Sequence, residues 1–276
     1  METPSGKGAA DENFPVGSFL LPRRLRPHVA KFYAFARAID DIADNKALRA
    51  DDKLRRLDAF EDAIYGRITG DPGLEKAYLV RASCVETGVP LDHCRDLIAA
   101  FKQDAVKLRY ADWKDLMGYC YLSAAPVGRY LLDLHGESRD GWPASDALCN
   151  ALQVLNHLQD CQDDYRNLDR VYLPLDWMAD ERETVEALDR ASASPALRRV
   201  LDRCIHATDA LLVTAKELPY RLKSRGLAME SAVIVRLALR LSELLKRGDP
   251  IAARVALSKL DFVSCGLRGA AAGWFH

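Results

Sequence analysis

The chain has 276 residues, 49% of them hydrophobic, enough to bury one sizeable core, so a single domain over 13–276 is expected behind a small, polar, flexible stretch 1–12. Lysine and arginine (39) balance aspartate and glutamate (40), which excludes a bulk field that would attract nucleic acid or an acidic membrane, and any anionic ligand has to be held locally. Seven cysteines without a CxxC pair, an N-terminus (METPSGKGAADEN) lacking the signal-peptide pattern, and no run near 18 apolar residues read as a cytoplasmic protein, with peripheral contact at the inner membrane face left open.

β-Branched residues rarely cluster and no segment alternates apolar and polar residues for long, so the fold class expected is all-α. Pro27 can open a first helix running to about Asn45. At about 100° per residue, Tyr33, Arg37, Asp40 and Asp44 share a sector of roughly 60°, while Phe32, Phe35, Ile39 and Ile42 form an apolar face on the other side. Asp40 and Asp44, one turn apart, stand about 5–6 Å from each other at Cβ, close enough to share hard divalent cations. The alternative for this segment alone is a solvated acidic face, with Arg37 paired to Asp41 at i,i+4.

Further helices are expected over 51–66, 74–87, 91–108, 112–136 and 144–168, with turn chemistry at Gly70-Asp71-Pro72-Gly73, Gly88-Val89-Pro90 and Gly141-Trp142-Pro143. The last of these helices repeats the first acidic design about 120 residues later, with Gln153, Asn156, Asp160 and Asp164 on one stripe. An all-oxygen donor set of this kind suits Mg²⁺ rather than zinc or copper. A solvated face or an amide-lined helix contact is the alternative. His157, beside the stripe, is a candidate general base for water, although a neutral, hydrogen-bonded histidine is the commoner outcome. Cys120, Cys149 and Cys161 read as small core residues. Helices over 181–190, 195–223, 228–247 and 249–260 complete the expectation, and the apolar ending GLRGAAAGWFH, too short to span a bilayer, is read either as a cover over an apolar opening or as disordered.

Two facing acidic helices in an α-bundle form an anionic cage that makes sense with several cations and an anionic ligand between them. A Mg²⁺-bridged diphosphate fits, and a carbocation formed on its departure needs a dry apolar pocket.

The segments FYAFARAIDDIAD and QVLNHLQDCQDDYRNLDRVYLP resemble the two Asp-rich motifs of the squalene/phytoene synthase family, the head-to-head trans-isoprenyl enzymes. LLPRRLRP and GYCYLSAAPVGRYLLDLHG extend that resemblance over nearly the whole chain. It implies an isoprenoid synthase helical bundle with a central apolar cavity and Mg²⁺ as cofactor. It further implies that Asp40, Asp44, Asn156, Asp160 and Asp164 hold the metal, with Asp41 in support. Arg37, Gln153 and Arg170 would contact the diphosphate, and Tyr33, Tyr119 and Tyr172 would orient it or stabilise positive charge. Where condensing members carry a Ser-rich segment and an arginine, this chain has Asn13-Phe14-Pro15-Val16-Gly17-Ser18 and Gln159, and Pro126 replaces a small polar residue. These departures, with NHLQDC and SAAPVGR, resemble the bacterial hydroxysqualene-forming branch of hopanoid synthesis. That branch takes presqualene diphosphate, removes diphosphate and quenches the rearranged cation with water. The alternatives are condensation of two prenyl diphosphates to presqualene diphosphate, squalene or phytoene, and a non-catalytic assembly factor. Retention of every motif aspartate speaks against the last. The greasy substrate makes a membrane surface or a preceding pathway enzyme a reasonable transient partner.

Overall fold

Proline and acidic side chains set the first turns. The structure, a computed structural model, describes residues 20–274. The stretch 1–12 and the segment Asn13–Ser18 lie outside the described residues. Helix α1 (Arg26–Asp44) has its proline in the first turn and buries Phe32, Phe35, Ile39 and Ile42, as the sequence periodicity requires. Lys53 Nζ and Arg170 Nη2 both donate to Ala43 O, at 2.7 and 2.9 Å, placing cations at the negative end of its dipole. Helix α2 (Ala50–Ile64) has Asp51 and Asp52 in its first turn, α3 (Glu75–Thr87) ends on Gly88 at φ +72°, and α4 (Asp92–Asp104) follows.

The expected helix over 112–136 is two. Pro126 cannot continue a helix but suits the start of one, so α5 (Trp113–Ser123) stops and α6 (Ala125–His135) begins in a new direction. Gly128 lets α6 lie against the next helix, because a Cβ there would meet Ser145 Oγ at 2.2 Å and Cys149 Sγ at 2.7 Å. That helix, α7 (Trp142–Leu168), matches the expectation. Arg129, buried, forks onto Asp146 with Nε at 2.8 Å and Nη2 at 2.5 Å, joining α6 to α7.

The expected all-α class holds, with one short parallel pair, β1 (Arg109–Tyr110) with β2 (Val171–Pro174), set among the helices. Both are too short for an alternating signal, and all of β2 is buried. Beyond it lie α8 (Leu175–Asp180), α9 (Pro195–Ala215), α10 (Leu218–Arg221) and α11 (Arg225–Arg247), so the expected 195–223 helix is interrupted. The 181–190 segment is a 3-10 turn over Val185–Asp189, not an α-helix.

The 249–260 expectation also fails. Asp249 accepts from Ile251 N at 2.9 Å and from Ala193 N at 2.8 Å, which bends the chain into a turn, and the chain then runs on without regular structure. Helix α12 (Lys259–Trp274) starts at a reciprocal cap in which Ser258 Oγ accepts from Asp261 N and Asp261 Oδ2 accepts from Ser258 N. It lies on α11, where a Cβ on Gly269 would meet Val233 Cα at 2.6 Å. Of the two readings of GLRGAAAGWFH, the disordered one is overturned as far as Trp274, where the chain is helical.

Two hydrophobic clusters hold the bundle. One joins α1–α4 to α6 through Phe35, Phe60, Leu97 and Tyr130, with Phe32 stacked on Tyr130 at 3.8 Å between ring centroids. The other joins α5, α7, α9, α11 and the β pair through Tyr110, Leu155, Leu201 and Leu241. Helix α1 belongs to the first and α7 to the second, and cavities lie along the seam between them. All seven cysteines are free thiols. No described helix is long and apolar enough to cross a membrane.

Candidate active site

The two acidic stripes face one another across the seam. From α1 come Arg37, Asp40 and Asp44, and from α7 come Gln153, Asn156, His157, Asp160 and Asp164, all lining one polar cavity of about 280 Å³. Asp104 at the end of α4, Tyr119 on α5, Arg170 and Tyr172 at β2, and Arg254 after α11 also line it. The helical spacing that put the carboxylates on one face in sequence thus delivers them to a common space.

Three guanidinium groups hold four aspartates, three of them on the cavity wall. Arg37 Nη1 is 2.8 Å from Asp40 Oδ2, and its Nη2 is 3.2 Å from Asp41 Oδ1. Arg170 Nη1 lies 2.5 Å from Asp44 Oδ1, and Arg254 Nη2 lies 3.3 Å from Asp160 Oδ1. Five carboxylates against three guanidiniums still leave the wall short of positive charge. Burial, followed by the charge of Asp44, drives the Asp40 carboxyl well above its ordinary value. Burial, then the Asp160 and Asp44 charges, pushes Asp164 up to about 8. An oxygen-rich wall with too few cations suits a hard divalent ion. Among the described residues, no three His, Cys, Asp or Glu side chains are gathered tightly enough to hold one, and metal entry would have to draw aspartates out of their arginine pairs.

Behind the cage sits a buried network. Tyr119 and Tyr172 donate their hydroxyls to the two oxygens of Asp104, at 2.6 and 2.9 Å. Burial raises the Asp104 carboxyl to about 6, opposed by Arg170 and the two tyrosine hydrogen bonds. His157 stacks on Tyr172 with centroids 3.6 Å apart, and its Nε2 is 3.1 Å from Gln153 Nε2. Burial and then Arg170 depress its pKa to about 3, so the ring is neutral over the ordinary pH range.

Next to the polar cavity is an apolar one of about 260 Å³, walled by Phe32, Val127, Leu131, Leu148, Leu222 and Ile234 among others. Asn156 lines both spaces, and Tyr33 stands on the apolar side. A ligand with a charged head and a hydrocarbon body would find both environments within reach of one residue.

Of the residues singled out from sequence, Arg37, Asp40, Asp44, Tyr119, Gln153, Asn156, Asp160, Asp164, Arg170 and Tyr172 meet in the polar cavity. Asp41 is buried against Arg37 and does not line it, and Tyr33 belongs to the neighbouring space. The sequence reading missed Asp104 and Arg254. Asp104 ends an unremarkable amphipathic helix, and Arg254 falls in the segment misread as helical, so neither carried a motif.

The profile of the family described as squalene/phytoene synthase matches residues 8–261. A hydroxysqualene synthase from Rhodopseudomonas palustris is 45% identical, with 95% of this chain and 89% of that protein covered. One from Zymomonas mobilis subsp. mobilis is 41% identical, covering 98% and 91%. Among solved structures, squalene synthase HpnC from Alicyclobacillus acidocaldarius superposes with a TM-score of 0.74 at 30% identity, covering 84% of this chain and 87% of that one.

Proposed function

Since this chain belongs to the squalene/phytoene synthase family, we propose that it is a hydroxysqualene synthase, converting presqualene diphosphate and water into hydroxysqualene and diphosphate. The observation that carries the reading is the acid-lined cavity opening beside an apolar one, with Asn156 at their boundary, in a chain 40–45% identical to hydroxysqualene synthases over almost its whole length.

Asp40, Asp44, Asn156, Asp160 and Asp164 are the residues that would hold Mg²⁺, which when bound neutralises the leaving diphosphate and eases carbon–oxygen cleavage. Arg37, Arg170 and Gln153 donate to the diphosphate oxygens. The C–O bond breaks with its electron pair leaving on the diphosphate, and a cyclopropylcarbinyl cation rearranges in the apolar cavity, where Phe32 and the leucines exclude bulk water. Tyr33 on the apolar side, and Tyr119 and Tyr172 on the polar side, orient the diphosphate or stabilise positive charge. One water adds to the rearranged cation, and the oxonium proton passes to the released diphosphate to give the alcohol. Because substrate and product are long hydrocarbons, they exchange at the inner membrane face or with the preceding enzyme; recovery of neither protein nor activity with sedimented vesicles would rule out the membrane route.

The deciding experiment gives the purified protein Mg²⁺ and either presqualene diphosphate or farnesyl diphosphate, without reduced nicotinamide, and identifies products by mass spectrometry. Hydroxysqualene from the first and nothing from the second is expected. Presqualene diphosphate formed from farnesyl diphosphate would make the protein a condensing enzyme instead.

A further inference from the structure

Gln159 precedes Asp160 on α7 yet turns away from the acidic cavity. It is 4% exposed, and its Nε2 donates to the carbonyl of Val255 at 2.6 Å. Val255 directly follows Arg254, whose Nη2 stands 3.3 Å from Asp160 Oδ1 on the cavity wall. Two consecutive residues of α7 therefore grip two consecutive residues of the irregular segment after α11, one through the backbone and one through a side chain. The segment is also anchored upstream by Ile251, 3% exposed in the core, and by Asp249, which accepts from Ala193 N, and it docks through the partly buried side chains of Val255 and Leu257, while Ala252, Ala253, Arg254 and Ala256 are exposed. A buried side-chain amide that donates to a main-chain carbonyl fixes position rather than charge.

We propose that Gln159 is a positioning residue: by clamping Val255 O it holds the segment after α11 so that Arg254 stands at the acidic cavity as a counter-ion for the bound anion. Position 159, where the family resemblance leads one to expect an arginine, thus acts through a guanidinium carried 95 residues further along the chain. This rests on the diphosphate reading of the cavity, but its test does not depend on turnover.

Two measurements on the full-length protein decide it. Calorimetric binding of inorganic diphosphate in excess Mg²⁺ should weaken about tenfold in Arg254→Gln, an exposed site where folding is not at risk, and by a similar factor in Gln159→Leu, with the double variant no weaker than Arg254→Gln alone. Limited trypsin digestion should cut after Arg254 several-fold faster in Gln159→Leu while the melting temperature stays close to that of the wild type. Should Gln159→Leu fail to fold, Gln159→Met keeps the length without the donor or an added charge, and the same two results are expected. Wild-type binding in either Arg254→Gln or the folded Gln159 variant, effects that multiply in the double variant, or unchanged cleavage after Arg254 would overturn the proposal. If the wild type itself does not bind diphosphate with Mg²⁺, the diphosphate reading fails, while the trypsin comparison still reads the clamp.

Discussion

Asp104→Asn tests whether the network behind the cage carries the charge its surroundings imply. Asp104 is 3% exposed and accepts hydroxyls from Tyr119 and Tyr172, yet its carboxyl titrates at about 6 rather than 3.8 because burial outweighs Arg170 and those two hydrogen bonds. The unfolded chain releases this proton near 3.8, while the folded protein keeps it until about 6, so the folded state binds more protons in between and wild-type stability falls as pH rises through that window. A shift of about two units corresponds to roughly 3 kcal/mol in full, of which about 2 kcal/mol develops between pH 4.5 and 7.5. Asparagine cannot ionise. The stability of Asp104→Asn relative to wild type should therefore improve by about 2 kcal/mol from pH 4.5 to 7.5, whatever its offset at the acidic end. Urea unfolding in EDTA at several pH values measures this directly. A difference between the two proteins that does not change with pH would show that Asp104 is not held protonated as described.

Asp40→Asn and Asp160→Asn should each lower turnover by at least about a hundredfold while leaving the far-ultraviolet circular dichroism spectrum intact, since each removes an oxygen charge from the cage but no core contact. Chelation of divalent ions should abolish product formation and Mg²⁺ should restore it, as measured by diphosphate release. Arg129→Met should cost about 3–5 kcal/mol in urea unfolding, because it strands Asp146 beside the α6–α7 contact. Gly269→Ala should destabilise by about 1–3 kcal/mol, since the added methyl would meet the Val233 backbone and part α12 from α11; an unchanged melting temperature would show that this contact is not close.

The acidic helices were legible because a helix converts sequence spacing into a common face, so Asp40 with Asp44 and Asp160 with Asp164 had to point together. Their convergence across a seam depends on how α1 and α7 belong to different cores, which periodicity does not encode. The misread segments share one cause. At 112–136 and 249–260 apolar content suggested continuous helix, while single residues decided otherwise: Pro126 by its missing donor, Asp249 by accepting main-chain amides. The cap pair Ser258 and Asp261 was visible in the sequence and would have put the last helix where it starts. Gln159 entered the sequence reading only as a departure from the family's arginine; its direction follows from the helix, where adjacent residues diverge by about 100°, so it faces away from the stripe that carries Asp160.

The arginine pairs of the cage have a consequence for the order of binding. Asp40, Asp44 or Asp160 turning to a cation would release a guanidinium, and Arg37, Arg170 or Arg254 turning to an anion would free an aspartate. Loading is therefore an exchange of partners, in which either ligand alone breaks ion pairs that it can only half replace. With both bound as proposed, metal and anion would be thermodynamically linked, each raising the affinity for the other by the same factor, so the pair would be taken up more readily than either ion by itself.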